Sequence, residues 1–345
     1  MPIKAIAAAR GVDAFAVAVV VAVISGAMVA VQSRINGALA ESIGHFPAAG
    51  VSFATGLTLL STLLVLRPFR RHLAAVPAAM RARRLRWWQV LGGVGGGLLV
   101  ATQTYAVPLI GVAAFLIAVI GGQGTSALLV DRAGLGPASA MPLSRMRIVA
   151  AIVAVGGVAV AASAGTSAAE TAAGAGTAAL PLVPLILAFA VGLGGSVQYA
   201  FNGHVTTVTG DPMATAWINF GVGTATVAIV ASVVAVVVYA SGSVAVWGSA
   251  PSTWDAPWWM WLGGPCGVFF IAGAAWAVQH TGVLVFGLIA VTSQISVGVG
   301  LDVANPAAPT VVNAAFMLGV AMTLCGAVLA GLAARRTRRR SPLDG

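Results

Sequence analysis

Two stretches of this sequence carry amide side chains at the same spacing inside otherwise apolar segments. One reads Gln32-Ser33-Arg34-Ile35-Asn36-Gly37, and the other reads Gln198-Tyr199-Ala200-Phe201-Asn202-Gly203. In each stretch the Gln and the Asn stand four residues apart, so both project from one face of a helix. Each amide offers a hydrogen-bond donor and an acceptor. Such a face can bind a polar solute, or it can join neighbouring helices by hydrogen bonds worth about 1 kcal/mol each. The sequence leaves both interpretations open.

Further polar and aromatic residues recur at a second fixed offset. Gln123 pairs with Gln294, and Tyr105 with Trp276, each 171 residues apart. A shared register predicts that the two Gln side chains face each other near the membrane midplane, where transporters built from repeats bind substrate. Helix packing is the alternative for each residue, as it is for the unpaired amides Gln103 and Asn219. We predict that the substrate site is lined by Gln32, Arg34, Asn36, Tyr105, Gln123, Gln198, Asn202, Trp276 and Gln294.

Charged side chains suggest gates rather than a proton relay. Asp131 and Asp302 also stand 171 residues apart, each at the end of an apolar segment. They are candidate gate residues that pair with a basic partner in a closed state, or simply solvated helix ends. Arg34 suits a substrate carboxylate, because a guanidinium binds one through two parallel hydrogen bonds. No carboxylate falls clearly at mid-membrane, so no proton carrier is predicted.

Enzyme and metal signatures do not emerge from the sequence. The four His residues lack the spacing of a metal site such as H-E-x-x-H, and no G-x-S-x-G motif is present. The glycine run from Gly92 to Gly97 falls inside an apolar segment, where close helix packing explains it better than a nucleotide loop. Both Cys residues, Cys266 and Cys325, also fall in apolar segments and suggest packing. We therefore predict a protein that is not an enzyme and has no cofactor or metal.

The composition places these residues in a membrane. Of 345 residues, 59% are hydrophobic and only 8% are charged, whereas about a quarter are charged in a soluble protein. The mean hydropathy is +0.98. The net charge of +10 comes from short Arg blocks between apolar segments, without any nucleic-acid-binding motif, so nucleic acid is excluded as a partner.

A membrane-spanning helix needs about 20 apolar residues. Ten segments qualify, at 14–33, 47–66, 87–107, 109–130, 147–164, 181–201, 213–239, 258–279, 282–301 and 310–333.

The same offsets divide the chain into two repeats. Trp87-Trp88 with Leu91-Gly92-Gly93 recurs as Trp258-Trp259 with Leu262-Gly263-Gly264. Because five helices per half is an odd number, the second half enters the membrane from the opposite side. The predicted fold class is an all-α polytopic membrane protein with ten transmembrane helices in two inverted five-helix repeats. The predicted domains are repeat 1–164, a flexible extracytoplasmic linker 165–179, repeat 180–334 and a basic cytoplasmic tail 335–345.

The distribution of basic residues predicts the orientation. With a cytoplasmic N-terminus, 17 of the 18 Lys and Arg residues lie inside and only Arg34 does not, and such a bias sets topology. Both termini are then cytoplasmic. The Arg-rich segment 67–86 acts as a topology signal or docks on anionic lipid.

Ten helices in two inverted halves, with the Gln-x-x-x-Asn-Gly and Trp-Trp-x-x-Leu-Gly-Gly segments in each half, resemble the YdcZ-like branch of the drug/metabolite transporter superfamily. The resemblance runs from about Ala14 to Leu332. It implies an inner-membrane exporter that works by alternating access, with a cavity between helices 1, 3 and 4 and their partners 6, 8 and 9. Related small multidrug-resistance proteins carry a glutamate within the first helix, whereas this chain has only Asp13 at its edge, which argues against proton-coupled export of cations.

The leading hypothesis is a secondary exporter of a small polar metabolite or drug-like compound. A membrane scaffold or regulatory protein and a lipid flippase are the alternatives. The expected partners are a small-molecule substrate and the lipid bilayer, and a homodimer remains open.

Overall fold

The chain folds into long helices. The computed structural model describes residues 14–135, 144–173, 182–241, 256–305 and 312–340. Asp13, the last residues of the predicted linker and the end of the basic tail lie outside these ranges. The helices of the described ranges are α1 (Ala14–Ile43), α2 (His45–Ser61), α3 (Arg67–Arg81), α4 (Gly92–Arg132), α5 (Arg145–Ala173), α6 (Leu182–Thr209), α7 (Pro212–Ser241), α8 (Gly263–Val303) and α9 (Ala314–Arg340). Short 3-10 helices cover Thr62–Val65, Trp87–Leu91 and Trp258–Leu262.

Helix α4 is two membrane crossings joined without a loop. Gly95 on its first arm and Gln123 on its second arm contact Gln198 and Gly195 of α6, which are less than one turn apart. A straight helix would separate Gly95 from Gln123 by about 42 Å. The chain therefore doubles back between them, and it does so at Gly111, whose φ of 78° and ψ of 170° are not helical. This backbone region is open almost only to glycine.

Helix α8 repeats this arrangement in the second half. Gly273 on its first arm lies against Ser25 of α1, and Ala290 on its second arm lies against Gly26. Seventeen residues of straight helix would cover about 25 Å, so α8 also reverses between these two positions. The 3-10 helices Trp87–Leu91 and Trp258–Leu262 precede the two hairpins at the same offset.

Each half therefore crosses the membrane five times, which confirms the predicted inverted repeat. Eight segments of the described chain are long and apolar enough to span a bilayer, and one of them, Trp87–Arg132, has 46 residues. That segment supplies two crossings, and the first arm of α8 adds another to the eight. Because helices satisfy all backbone hydrogen bonds within the segment, they suit a lipid environment.

The helices of the two halves are interleaved. Helix α1 of the first half lies along both arms of α8, and α6 of the second half lies along both arms of α4, while α5 packs on α9. Gly26 of α1 meets the backbone carbonyl of Ala290, and Gly192 of α6 meets that of Val119. These equivalent contacts show a pseudo-two-fold relation, with backbones brought close through small residues.

The helices differ from the predicted apolar segments in three places. Helices α1 and α6 continue beyond the Gln-x-x-x-Asn-Gly segments, so these segments lie inside the helices rather than at their ends. The Arg-rich segment 67–86 contains α3, an amphipathic helix. Its buried Val76 and Ala79 pack with Leu85 and Val205, and all seven Arg residues of the segment are exposed. Helix α5 continues to Ala173, into the stretch predicted as a linker.

Candidate transport cavity

The amide motif of the first half takes part in a buried network between helices. Asn36 Nδ2 donates to Gln103 Oε1 at 2.7 Å, and Gln103 Nε2 donates to Ser33 Oγ at 2.6 Å. All three residues are buried. Asn36 also lies against Gly263, where a side chain would collide with the amide, and Gln32 lies against Gly267. This network joins α1 to the first arm of α4 and supports the start of α8.

The amide motif of the second half forms the equivalent network. Asn202 Nδ2 and Gln198 Nε2 both approach Asn219 Oδ1, at 3.1 Å and 3.3 Å. Asn202 lies against Gly92 and Gln198 against Gly96, just as Asn36 and Gln32 lie against the start of α8. The two sequence motifs therefore occupy matching positions at the contacts between halves. Gln103 and Asn219, which the sequence offers as unpaired amides, are their partners.

The remaining aromatic and basic candidates lie apart from these networks. The ring of Tyr105 packs edge to face on His45, with ring centroids 5.6 Å apart, and His45 Nδ1 is 3.0 Å from the carbonyl oxygen of Thr104. Trp276 packs on His280, with centroids 4.5 Å apart. Arg34 and Gln294 are half-buried. These residues are not brought together into one site.

Asp302 joins two helices at one end of the bundle. Its Oδ1 accepts a hydrogen bond from the backbone N–H of Val112 at 3.0 Å, and its Oδ2 accepts one from Ala113 at 2.9 Å. These are the first amides of the helical arm that begins after Gly111, and such amides have no partner within their own helix. A carboxylate at a helix N-terminus also interacts favourably with the helix dipole. The buried Asp302 thus joins α8 to α4 at the end opposite the Arg-rich segment.

Asp131, the repeat counterpart of Asp302, makes a different contact. Its Oδ2 forms an ion pair with Arg147 Nη2, which joins the end of α4 to the start of α5. The Arg147 side chain is 4% exposed and that of Asp131 is 35% exposed. The two counterparts therefore differ in partner and in burial, and this is a clear departure from the symmetry of the halves.

A cavity of about 260 Å³ lies among α4, α5, α6, α8 and α9. Its lining includes Ile120, Gln123 and Ala127 of α4, and Ser196 and Tyr199 of α6. Arg147 precedes the lining residue Ala150 by three residues, and Asp131 follows Ala127 by four, so the ion pair lies about one helical turn away. The cavity therefore occupies the half of the bundle toward the Arg-rich segment.

Polar groups gather on the α4 and α6 side of the cavity. Ser196 Oγ donates to the Gln123 carbonyl oxygen at 2.8 Å, and the Tyr199 phenol interacts with the Gln123 side chain. Tyr199 lines the cavity and is 52% exposed. No lining residue carries a charge. The arrangement can hold a mainly apolar molecule by one polar group.

Of the nine predicted binding residues, all within the described ranges, Gln123 lines this cavity. The other eight lie elsewhere, including its counterpart Gln294. Sequence reasoning missed Tyr199, Ser196 and Thr323. Tyr199 stands inside the second amide motif next to Gln198, but its repeat counterpart is Ser33, so the pattern of matched pairs does not single it out. Within the described residues, no group of three His, Cys, Asp or Glu side chains is arranged to hold a metal ion.

A family match supports the transporter interpretation. A family model described as "Putative inner membrane exporter, YdcZ" matches residues 17–160 and 183–329, one range in each half. A search of curated proteins finds no match. One solved structure, described as "Crystal structure of protein", aligns with 93% of this chain and 97% of its own, at 20% identity and a TM-score of 0.48.

The family match extends over most of the sequence and includes every residue of the cavity described above except Ala330 and Gly331. The family is described as membrane exporters, which are transporters rather than enzymes. An inner-membrane location agrees with the many apolar helices of this chain. The predicted resemblance is confirmed, and the chain belongs to the YdcZ family of inner-membrane exporters.

Proposed function

We propose that this chain is a secondary transporter that exports a small molecule by alternating access. The observation that carries the proposal is the difference between the two ends of the bundle. At one end a cavity lies between the halves, and at the other end Asp302 joins them through Val112 and Ala113. This combination is what an alternating-access carrier requires in a state open to one side.

The pseudo-two-fold relation supports a transport cycle in which the two halves exchange conformations. Gly26 with Ala290 and Gly192 with Val119 give the two halves equivalent contacts at their centre. The ends differ, because Asp302 binds the turn at Gly111 while Asp131 pairs with Arg147. In transporters of inverted repeats, exchanging the conformations of the two halves produces the state open to the other side. We propose that Asp302 is the gate residue of the closed end and Asp131 that of the open end.

The charge distribution supports export. All seven Arg residues of 67–86 are exposed. This segment lies near the end of the bundle where the cavity lies, because His72 Nδ1 is 2.6 Å from the carbonyl oxygen of Thr209 at the end of α6. Basic residues favour the cytoplasmic face. The proposed orientation puts both termini and the cavity toward the cytoplasm, so that the substrate enters from inside the cell.

Cysteine accessibility tests alternating access without knowledge of the substrate. Cys266 and Cys325 are first replaced by Ser. One reporter is Ala151→Cys, which lies in the cavity. The other is Ile117→Cys, which is buried in α4 toward the end of the bundle where Asp302 lies. Whole cells and inverted membrane vesicles are treated with a membrane-impermeant maleimide. We expect Ala151→Cys to react only in inverted vesicles. We expect Ile117→Cys to be protected, and to react in whole cells once Asp302→Asn releases the closed end.

A matched control is Asp211→Asn at the opposite end of the bundle, where the Asp211 carboxylate accepts a hydrogen bond from the Met213 N–H at 2.8 Å. This variant should not expose Ile117→Cys to the outside. If neither reporter changes its accessibility with Asp302→Asn in a protein that remains folded, the chain has one static conformation. That result would contradict the carrier and favour the scaffold alternative.

A further inference from the structure

We infer that the cavity between α4, α5, α6, α8 and α9 binds an uncharged, mainly apolar molecule about the size of a substituted benzene ring, held through one amide or hydroxyl group by Gln123 and Tyr199. This inference names the substrate class of the cavity and rests on the proposed function. Of the two substrate classes predicted from the sequence, it favours a drug-like compound over a small polar metabolite.

The lining excludes a net charge on the ligand. None of the residues that line the cavity is ionisable at neutral pH, and the ion pair between Asp131 and Arg147, about one helical turn away, has no net charge. An ion in an apolar environment without a partner costs at least several kcal/mol. A cation or an anion would therefore find no counter-charge at this site, whereas a neutral molecule loses little on entering.

The hydrogen-bond inventory identifies which groups are available to a ligand. The Ser196 hydroxyl donates to the Gln123 carbonyl oxygen, and the Thr323 hydroxyl donates to the Gly319 carbonyl oxygen at 2.9 Å. Both hydroxyl protons are thus used within the protein. The Tyr199 phenol and the Gln123 side chain interact with each other. Because the amide has two N–H donors and both side chains have an oxygen that can accept, the pair still offers a donor and an acceptor to a ligand. Together they match a ligand amide or hydroxyl group, which also needs both.

Size and shape restrict the apolar part of the ligand. A dry cavity of about 150 Å³ lined by apolar side chains accommodates benzene, and the cavity here measures about 260 Å³. The difference leaves room for one short substituent. Opposite helices contribute Ala150, Ala154 and Gly326 to the lining. Because these residues have little or no side chain, they leave a smooth surface that suits the flat face of a ring.

The other intramembrane amides are not available for this purpose. Asn36 and Gln103 bind each other, and Gln198 and Asn202 bind Asn219. Their contacts lie with the glycines of α4 and α8 rather than with the cavity. A highly polar solute such as an amino acid would require several free amides at one place, and the described residues bring only Gln123 to the cavity.

Fluorine NMR of the full chain in lipid nanodiscs tests this assignment. The probe is 4-fluorobenzamide, and the matched charged probes are 4-fluorobenzoate and 4-fluorobenzylammonium. We expect saturable binding of 4-fluorobenzamide alone. Gln123→Leu should weaken it by about tenfold, the equivalent of about 1.4 kcal/mol, because the probe loses its hydrogen-bond partner. Tyr199→Phe should also weaken binding.

The control variants separate binding in the cavity from partition into lipid. Gln294→Leu changes the repeat counterpart of Gln123, which does not line the cavity, and should leave binding unchanged. Ala151→Phe fills the cavity and should abolish saturable binding. Equal or tighter binding of either charged probe, or binding that Ala151→Phe does not affect, would overturn the assignment.

The outcome is independent of the cysteine experiment. Alternating accessibility without any saturable 4-fluorobenzamide binding would overturn this ligand class and leave the carrier standing. Saturable binding that depends on Gln123 in a chain with one static conformation would keep the site and refute transport by alternating access.

Discussion

The carboxylate of Asp302 caps the helical arm that begins at Val112, 190 residues earlier in the chain and in the other half of the molecule. The reversal at Gly111 exposes the first amides of that arm, and Asp302 satisfies two of them. A turn made by one repeat is therefore completed by a side chain of the other repeat. This contact links the local backbone geometry of α4 to the relative position of the two halves.

Asp302→Asn should weaken this connection. Asn keeps the size of the side chain but loses the charge and one acceptor oxygen, so one of the two amides is left without its partner. Loss of a good helix cap costs about 1 kcal/mol. We expect a lower melting temperature in detergent, and an increase in labelling of Ile117→Cys from outside. An unchanged melting temperature would show that the cap contributes nothing to the stability of this state.

Gly111→Ala should be more damaging than Gly→Ala at a helical position with open space around it. The backbone at Gly111 lies in a region that costs other residues about 1 to 3 kcal/mol, and that cost applies directly to the reversal of α4. The matched control is Gly221→Ala, since nothing lies within 4 Å of an added methyl group there. We expect Gly111→Ala to lower the yield of folded protein, and Gly221→Ala to leave it unchanged. Equal yields would mean that the reversal tolerates side chains.

The fold was largely predictable from sequence, and the parts that were not have physical reasons. The offset of 171 residues predicted two halves, because both the apolar segments and individual residues recur at it. The odd number of five helices per half predicted that the halves are inverted. The position of the reversal at Gly111 was harder to predict, because a helical hairpin without a polar loop does not interrupt the apolar sequence. Helix α3 was not predictable because seven Arg residues dominate the segment 67–86, although Val76 and Ala79 supply an apolar face.

The site was less predictable than the fold. Matching positions between the repeats identified Gln123, but also its counterpart Gln294, which lies away from the cavity. The sequence repeat pairs equivalent positions, whereas the cavity lies toward one end of the bundle, so the two members of a pair have different surroundings. Tyr199 has Ser33 as its counterpart, so no matched pair could draw attention to it.

Gly26→Ala and Gly192→Ala should have matching effects. A methyl group at Gly26 would collide with the backbone of Ala290, and one at Gly192 with the backbone of Val119. Overpacking of this kind costs about 1 to 3 kcal/mol or more. We expect both variants to lower the melting temperature by similar amounts, whereas Gly194→Ala, which meets nothing within 4 Å, should not. A large effect of one and none of the other would contradict the pseudo-two-fold relation.

The Asn36 and Gln103 side chains should show a favourable coupling. Their hydrogen bond of 2.7 Å is buried between α1 and α4, and interhelical bonds in membranes contribute about 0.6 kcal/mol on average, up to about 1.7 kcal/mol. A double-mutant cycle with Asn36→Ala and Gln103→Ala measures this coupling through unfolding in mixed micelles. We expect about 1 kcal/mol of coupling. Additive effects of the two substitutions would show that the bond adds no stability.

The Asp131 and Arg147 pair should respond unequally to loss of either partner. Arg147 is almost fully buried, and its Nη1 has no hydrogen-bond partner among the described residues, so Asp131→Asn leaves a buried charge without compensation. Such a loss typically costs about 3 to 5 kcal/mol. Arg147→Met instead leaves Asp131, whose side chain is 35% exposed and remains partly hydrated.

We therefore expect Asp131→Asn to destabilise the protein more than Arg147→Met, as measured by melting temperature in the same detergent. The double variant Asp131→Asn with Arg147→Met should recover much of the stability, because it removes the buried charge as well as its partner. If Arg147→Met were the more damaging change, the aliphatic part of the Arg side chain, rather than its charge, would account for the contact between α4 and α5. If the double variant were no better than Asp131→Asn alone, the buried charge would not be the source of the loss.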